Sequence, residues 1–384
     1  MRRRHDDPSR VTQVVLTYNS ARWLDRTLDH LLGCGLPVIA VDNASTDATL
    51  EILRRHESAG QLQLIALDRN IGAAARNRGV EAATTDYVAF CDDDTWYEPL
   101  GLDLAADVLD AHPRLALITG RILVDDEARL DPISAEMAAS PLPERDGIPG
   151  AVLVSFMGGA SIVRRSAFIQ VGGYDPRFFM GGEEETVGWQ LLRAGWQQRY
   201  LDDVVVHHHP SLANFARMGR YGIRNTIVTA WLHRPAGRAL AWTGHIVRHT
   251  RKDSTLVGGL GLTLLAVPWI VRERNVWAPE YESQIRILRS GKPSGARRYG
   301  TEGARRGRLR TGENAMSDEL SKGDKVKWQS HGTTVDGTVE KKITSDTEEA
   351  GRTVRASKDD PQYEVTSDKS GKSAVHKPSA LDKQ

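Results

Sequence analysis

Cysteine is nearly absent. The 384 residues contain two, Cys34 and Cys91, with no CxxC pair. A disulfide framework and a zinc ribbon are thereby excluded, and a reducing compartment fits. Charge of one sign is also missing: the formal net charge is +1. Nothing in that balance points to nucleic acid, and none is expected as a partner. No apolar stretch follows the arginines of MRRRHDDPSR, so this segment does not read as a signal peptide. The longest uncharged apolar run, residues 256–271, is 16 residues long and holds three glycines and Pro268. It reads as short and broken for a membrane span. No GxxxxGK[ST] loop occurs, and TYNS stands where a GxGxxG would follow the first strand. A P-loop ATPase and a Rossmann dehydrogenase are therefore unsupported. Lysine is scarce in one part only: residues 1–315 carry 37 Arg and 2 Lys, and residues 316–384 carry 2 Arg and 10 Lys. A single folding unit rarely switches its basic residue so completely, so the chain reads as a fusion of two modules.

What is present supports a folded core, with 40% apolar residues and nine tryptophans. Residues 11–17 (VTQVVLT), 37–42, 62–67 and 87–91 read as buried strands. Residues 21–32, 46–56 and 71–83 have helical spacing between them. This alternation predicts an α/β fold with a doubly wound, mostly parallel sheet. The predicted organisation is a disordered tail over 1–10, a catalytic domain over 11–235 and a helical extension over 236–290. A basic, Gly-rich flexible linker over 291–315 and a small all-β module over 316–384 follow.

Ligands of doubly wound sheets bind beyond the carboxyl ends of the strands. Three polar groups end strands here: Thr17-Tyr18-Asn19, Asp42-Asn43 and Asp92-Asp93-Asp94. Three adjacent carboxylates repel one another unless a cation neutralises them, which suits a hard divalent metal with oxygen ligands. A lone acidic turn is more often plain solvated surface, but the neighbours add weight. Asp42 could read a base or ribose, and Arg76 could reach a diphosphate with geometry that suits Arg better than Lys. In an extended segment alternate residues point one way, so Asp92 and Asp94 would share a side and Asp93 would face elsewhere.

The ordered set LTYN (16–19), VDNASTD (41–47), NIGAAARNRG (70–79), FCDDDTW (90–96), FMGGAS (156–161), GGYDPRFF (172–179) and GGEEE (181–185) resembles the family-2 glycosyltransferases of the GT-A fold. The variant is similar to bacterial rhamnosyltransferase-type enzymes of surface polysaccharide synthesis. The resemblance implies that Thr17, Tyr18, Asn19 and Asp42 hold the nucleotide and that Arg76 approaches its diphosphate. It implies ribose and metal contacts for Asp92, Asp93 and Asp94, with Asp94 the direct ligand of a divalent cation (Mn²⁺ or Mg²⁺) and Asp92 next. Gly158 and Gly159 would make room for donor sugar and acceptor. The family's catalytic base usually lies in Gly-Glu-Asp. Here the segment is Gly182-Glu183-Glu184, followed by Glu185, so Glu184 is the expected base and Glu183 the runner-up. In some relatives a His completes the metal site, and His207 of the His207-His208-His209 run aligns best.

The implied reaction is an inverting transfer of a sugar from a nucleotide-sugar donor to an acceptor hydroxyl on a glycan or lipid-linked acceptor. The implied location is the cytoplasm, at the inner face of the membrane. The segment 231–277, with four Trp and many Arg, is a candidate peripheral membrane contact. The alternative is a GT-A domain that binds nucleotide-sugar or glycan without turnover. The tail, about 319–383, resembles the hypervirulence-associated TUDOR-like family, through GDKVKW and SAVHKPSAL. Strands expected over 322–328, 337–343 and 363–366 suggest a small, partly open SH3-like β-barrel. Its ligand is not named by the sequence. Trp328 and Tyr363 are its only aromatics, too few for a methyl-lysine cage.

Overall fold

Strand alternation sets the architecture. The computed structural model describes residues 9–144, 147–210, 215–277, 279–290, 322–330, 333–345, 347–349, 352–354, 362–376 and 382–383. The chain divides into two units, Met1–Gly307 and Arg308–Gln384. The predicted linker over 291–315 and residues 1–8 of the predicted tail lie outside the described residues.

The first unit begins β1 (Val11–Thr17), α1 (Leu24–Gly33), β2 (Val38–Asp42), α2 (Thr49–Ser58), β3 (Gln63–Ala66), α3 (Arg76–Ala82) and β4 (Tyr87–Asp92). It continues with β5 (Thr95–Tyr97), α4 (Pro99–Ala111), β6 (Leu115–Val124), β7 (Arg129–Leu130), α5 (Pro132–Ala138) and β8 (Ala151–Val152). Then come β9 (Ser161–Arg164), α6 (Arg165–Gln170), α7 (Glu183–Arg193) and β10 (Gln197–His208). Four helices close it: α8 (Phe215–His233), α9 (Ala236–His249), α10 (Ser254–Glu273) and α11 (Pro279–Ser290).

The sheet runs in the order β3-β2-β1-β4-β9-β6-β10-β5, with β7 on β6 and β8 on β10. β1 to β4 pair in parallel, as do β6 and β10, whereas β9 is antiparallel to both β4 and β6. The unit is thus α/β around a mostly parallel sheet, with one reversed strand in its middle. Along β1, Val11 and Val15 pack with Leu24, Leu28 and Leu31 of α1, while Val14 and Leu16 pack with Val80 of α3 and Phe168 of α6. The period of two feeds two cores, one on each face.

Two sequence expectations need correction. The helix expected over 71–83 is split: a 3-10 turn, Gly72–Ala75, precedes α3. Gly72 has φ +67°, and a Cβ there would lie 1.9 Å from the Phe179 carbonyl. The chain must approach that carbonyl closely, so it cannot already be helical. The run 256–271, read as broken, lies inside the continuous helix α10, which carries Pro268 within it. Tertiary packing on α8 holds it together despite the lost donor.

The second unit has β11 (Lys325–Ser330), β12 (Thr333–Ile343), β13 (Thr347–Glu349), β14 (Arg352–Val354), β15 (Gln362–Ser367), β16 (Ser373–His376) and β17 (Asp382–Lys383). Five of them form an antiparallel sheet, β16-β15-β12-β11-β17. Its core is thin: Val326, Val339, Tyr363 and Val365, with Ile343 and Val375 beside it. Tyr363 is buried there, so it cannot join an aromatic cage. The side chain of Trp328 lies outside the described residues.

Candidate active site

Strand parity distributes the polar strand ends. Thr17 and Asp42 are register partners on β1 and β2. They continue the face that packs on α1, and both are buried. The Thr17 hydroxyl donates to Asp42 Oδ1 at 3.2 Å, and Ser45 donates to the same carboxylate through its amide (3.0 Å) and hydroxyl (2.5 Å). Asp42 therefore orders its own loop. Asn19, with φ +52°, accepts from the Thr46 amide at 2.8 Å, and its own amide donates to Ser45 Oγ at 3.0 Å. Tyr18 is half-buried between them. Thr17, Tyr18, Asn19 and Asp42 thus form one loop-on-loop cradle at the carboxyl edge.

Asp92, one residue beyond the odd-numbered face of β4, points to the opposite core. There it forms an ion pair with Arg76, the first residue of α3. Arg76 is buried. Burial works against its charge, but Asp92, Tyr174, Glu184 and Glu183 outweigh it and raise its pKa. The expected alternation of Asp92, Asp93 and Asp94 does not hold past the first residue, because the chain turns at Asp93-Asp94 before β5. Asp93 faces Ser20 and the Tyr18 amide, and burial, with Asp94 and Asp92, pushes its carboxyl up to about 8. Asp94 faces His208, whose Nε2 lies 3.6 Å from Asp94 Oδ1.

His207, the residue singled out by sequence, goes elsewhere. Its Nε2 lies 3.3 Å from Glu98 Oε1, and its ring stacks on Trp96. Alternation along β10 and the pairing of His208 with Thr95 explain the one-residue shift. Burial lowers the His208 pKa despite the opposing carboxylates, which favours the neutral imidazole that ligates metals. Among the described residues no group of three or more His, Cys, Asp and Glu side chains surrounds a common point. The donor set fits a hard cation held by one or two protein ligands and completed by substrate phosphates.

Glu183 and Glu184 open α7. Gly181 and Gly182, at φ +85° and +90°, let the chain turn into it. The Phe179 carbonyl accepts from the Ala73 amide at 2.7 Å, which ties the entrance of α7 to the entrance of α3. Asn225 of α8 secures the same loop. Its Nδ2 donates to the carbonyls of Phe178 (2.7 Å), Met180 (3.1 Å) and Gly181 (2.8 Å). Asn77 holds Tyr174 through both of its backbone groups at 3.0 and 2.8 Å. Sequence reasoning missed Asn225 and Asn77. Asn77 stood inside the quoted NIGAAARNRG segment, whereas nothing local marks Asn225.

Gly158 and Gly159 start a 3-10 turn between the two acidic groups. A Cβ on Gly158 would lie 2.9 Å from Glu184 Oε1, and one on Gly159 would lie 2.3 Å from Asp92 Oδ2. Glu183 is buried, with Oε2 lacking a hydrogen-bond partner, and burial together with Glu184 holds its pKa well above the carboxylate range. Burial also raises Glu184, while Arg76 and the Gly158 amide oppose the shift. Glu184 lines a cavity of about 260 Å³, together with Met137, Val152, Val154, Phe156 and Met157. A shallower depression of about 470 Å³ is lined by α2 alone, at Leu50, Glu51, Arg54, Arg55 and Ser58, and gathers no group from a second element.

Residues 12–172 match the model of Glycosyl transferase family 2, and residues 323–381 match that of the Hypervirulence associated proteins TUDOR domain. The chain is 32% identical over 263 residues to a pre-mycofactocin glycosyltransferase of Mycobacterium tuberculosis, covering 60% of this chain and 52% of that protein. It is 28% identical over 236 residues to an N-acetylglucosaminyl-diphospho-decaprenol L-rhamnosyltransferase of the same organism, covering 51% of this chain and 75% of that protein. Among solved structures, S. aureus TarS 1-349 in complex with UDP-GlcNAc aligns with a TM-score of 0.48 at 14% identity, over 85% of this chain and 96% of that one. Residues 12–172 are thus similar to a family-2 glycosyltransferase domain, and residues 323–381, within the second unit, to the TUDOR domain of the hypervirulence associated proteins. The chain spans about half the length of the pre-mycofactocin relative.

Proposed function

We propose that this chain transfers a sugar from a nucleotide-sugar donor to an acceptor hydroxyl, with inversion at the anomeric carbon and with a divalent cation. The observation that carries this reading is the diglycine Gly158-Gly159, flanked by the carboxylates of Asp92 and Glu184. The missing side chains let both carboxylates pack directly against one backbone turn, which brings a diphosphate-side group and a base-side group together at a single place.

The cradle of Thr17, Tyr18, Asn19 and Asp42 receives the nucleoside. Arg76, held by Asp92, faces the diphosphate and supplies positive charge as the leaving group departs. Asp94 and His208, with Asp92 next, would hold the cation, and the cation when bound neutralises charge on the departing diphosphate. Glu184 takes the acceptor proton while the acceptor oxygen bonds to the anomeric carbon. The bond to the diphosphate breaks with its electron pair. Glu183, neutral and buried, keeps a second negative charge away from Glu184. The name of the rhamnosyltransferase relative includes a decaprenol-linked diphosphate, which supports a lipid-linked or growing glycan acceptor in surface glycan synthesis.

The test is release of nucleoside diphosphate from a panel of nucleotide-sugars, with and without Mn²⁺. Turnover of one donor that needs the cation is expected. Tight donor binding without release or transfer would leave a binding module and overturn the reading.

A further inference from the structure

Helix α10 turns an apolar face outward. Its apolar stretch has a mean hydropathy of 1.8, yet only 22% of it is buried. One side packs on α8: Leu256, Ala266 and Ile270 cluster with Ile223, Ile227, Val228 and Leu232. A Cβ on Gly259 would lie 2.7 Å from Ile223. On the other side Val257, Gly261, Leu264, Leu265, Pro268 and Val271 are exposed, Leu265 by 80% and Val257 by 70%. At 100° per residue these six fall within an arc of about 120°, running about 21 Å along the helix. None of the six is charged.

Basic side chains stand at the entrance of this stripe. Arg248, Arg251 and Lys252 are exposed immediately before α10. The acids at the two ends of α10 are engaged: Asp253 caps the helix through the amides of Thr255 and Leu256, and Glu273 pairs with Arg177 and Arg272. A bare apolar stripe beside unopposed cations complements a surface that is apolar beneath an anionic layer.

We propose that α10 lies in the plane of an anionic lipid surface, with the arc from Val257 to Val271 among the acyl chains and Arg248, Arg251 and Lys252 on the headgroups. The helix is long enough to cross a bilayer. Crossing would strip Leu256, Ala266 and Ile270 from α8, so lying in the plane keeps the packing that exists. This inference concerns a surface outside the sugar-transfer site and does not depend on that activity.

The full chain is sedimented with vesicles of phosphatidylcholine alone, and of phosphatidylcholine with phosphatidylglycerol. Binding to the anionic vesicles, weakened by salt, is expected. Arg251→Glu with Lys252→Glu should weaken it by about tenfold or more, and Leu264→Glu with Leu265→Glu should abolish it. All four positions are exposed, so the helical circular dichroism of both variants should be unchanged. Absence of binding to anionic vesicles, or equal binding by wild type and both variants, overturns the proposal. So does a lipid-free dimer that Leu264→Glu with Leu265→Glu dissociates, since the stripe would then be an interface between copies.

Discussion

Two runs of three identical acids occupy this chain, and the fold handles them differently. Asp92-Asp93-Asp94 ends a strand and enters a turn, so its carboxylates fan out: one to Arg76, one towards Ser20, one to His208. Glu183-Glu184-Glu185 opens a helix, where each step rotates a side chain by about 100°. Glu183 is turned into the core and Glu184 onto the cavity. The strand-end run gives each carboxylate a different partner and sets Asp94 against an imidazole, which suits a cation and phosphates. The helix-start run sets a buried Glu183 behind Glu184 and Glu185, which both line the cavity, and this suits proton transfer. Identical charge in sequence thus becomes two kinds of chemistry through local backbone geometry.

The largest effect that could break this comparison lies in the second run. Glu184→Gln should lower sugar transfer by about 10²- to 10⁴-fold, the usual cost of losing a general base, with donor affinity unchanged. Glu183→Gln and Glu185→Gln should retain most of the rate. An equal loss in Glu183→Gln, measured in the same assay, would move the base by one residue and undo the division between buried and working carboxyls.

A smaller effect sharpens the first run. His208→Ala should weaken Mn²⁺-dependent binding of a nucleoside diphosphate by about 10- to 100-fold, the range for residues that tune a metal site. His207→Ala, which removes a ring stacked on Trp96 beside Glu98, should change that affinity little. Titration calorimetry with and without the metal distinguishes them, and the reverse order would restore His207.

The smallest effect is on stability. The folded-state pKa of Glu183 is raised by burial and by Glu184, so the folded chain holds a proton that the unfolded chain releases at lower pH. Its contribution is fully present below the ordinary glutamate pKa and is lost as pH rises towards the folded value. Glu183→Gln should therefore flatten the decline of stability with rising pH across that window. Urea midpoints at a series of pH values check this, and an unchanged slope would mean Glu183 is ionised in the fold.

Much of the first unit was legible because parallel strands declare themselves. VTQVVLT, PVIAVD and YVAFCD are short apolar runs, and the observed strands Val11–Thr17, Val38–Asp42 and Tyr87–Asp92 sit on them. Local pattern did not disclose β9, whose four residues, SIVR, enter the middle of the sheet in reverse. It also gave no sign of the split before α3, which depends on the distant Phe179 carbonyl. The facing of His208 towards Asp94 was not legible, because family alignment counts residues, whereas facing depends on strand parity and on pairing with Thr95.

The sequence by itself determined which groups could do chemistry and which strand ends would carry some of them: Thr17, Asp42 and the aspartate run lie at strand ends that hydrophobic period predicts. Tertiary structure alone decided which of them meet. Arg76 pairs with Asp92 and feels the charge of the glutamates because Gly72 lets one loop rest on the Phe179 carbonyl and Asn225 of α8 pins the other. The first of those contacts joins segments more than a hundred residues apart and the second joins residues 47 apart. Periodicity reports how a residue relates to its neighbours in the chain, and the meeting of two loops is fixed by the packing of the whole sheet.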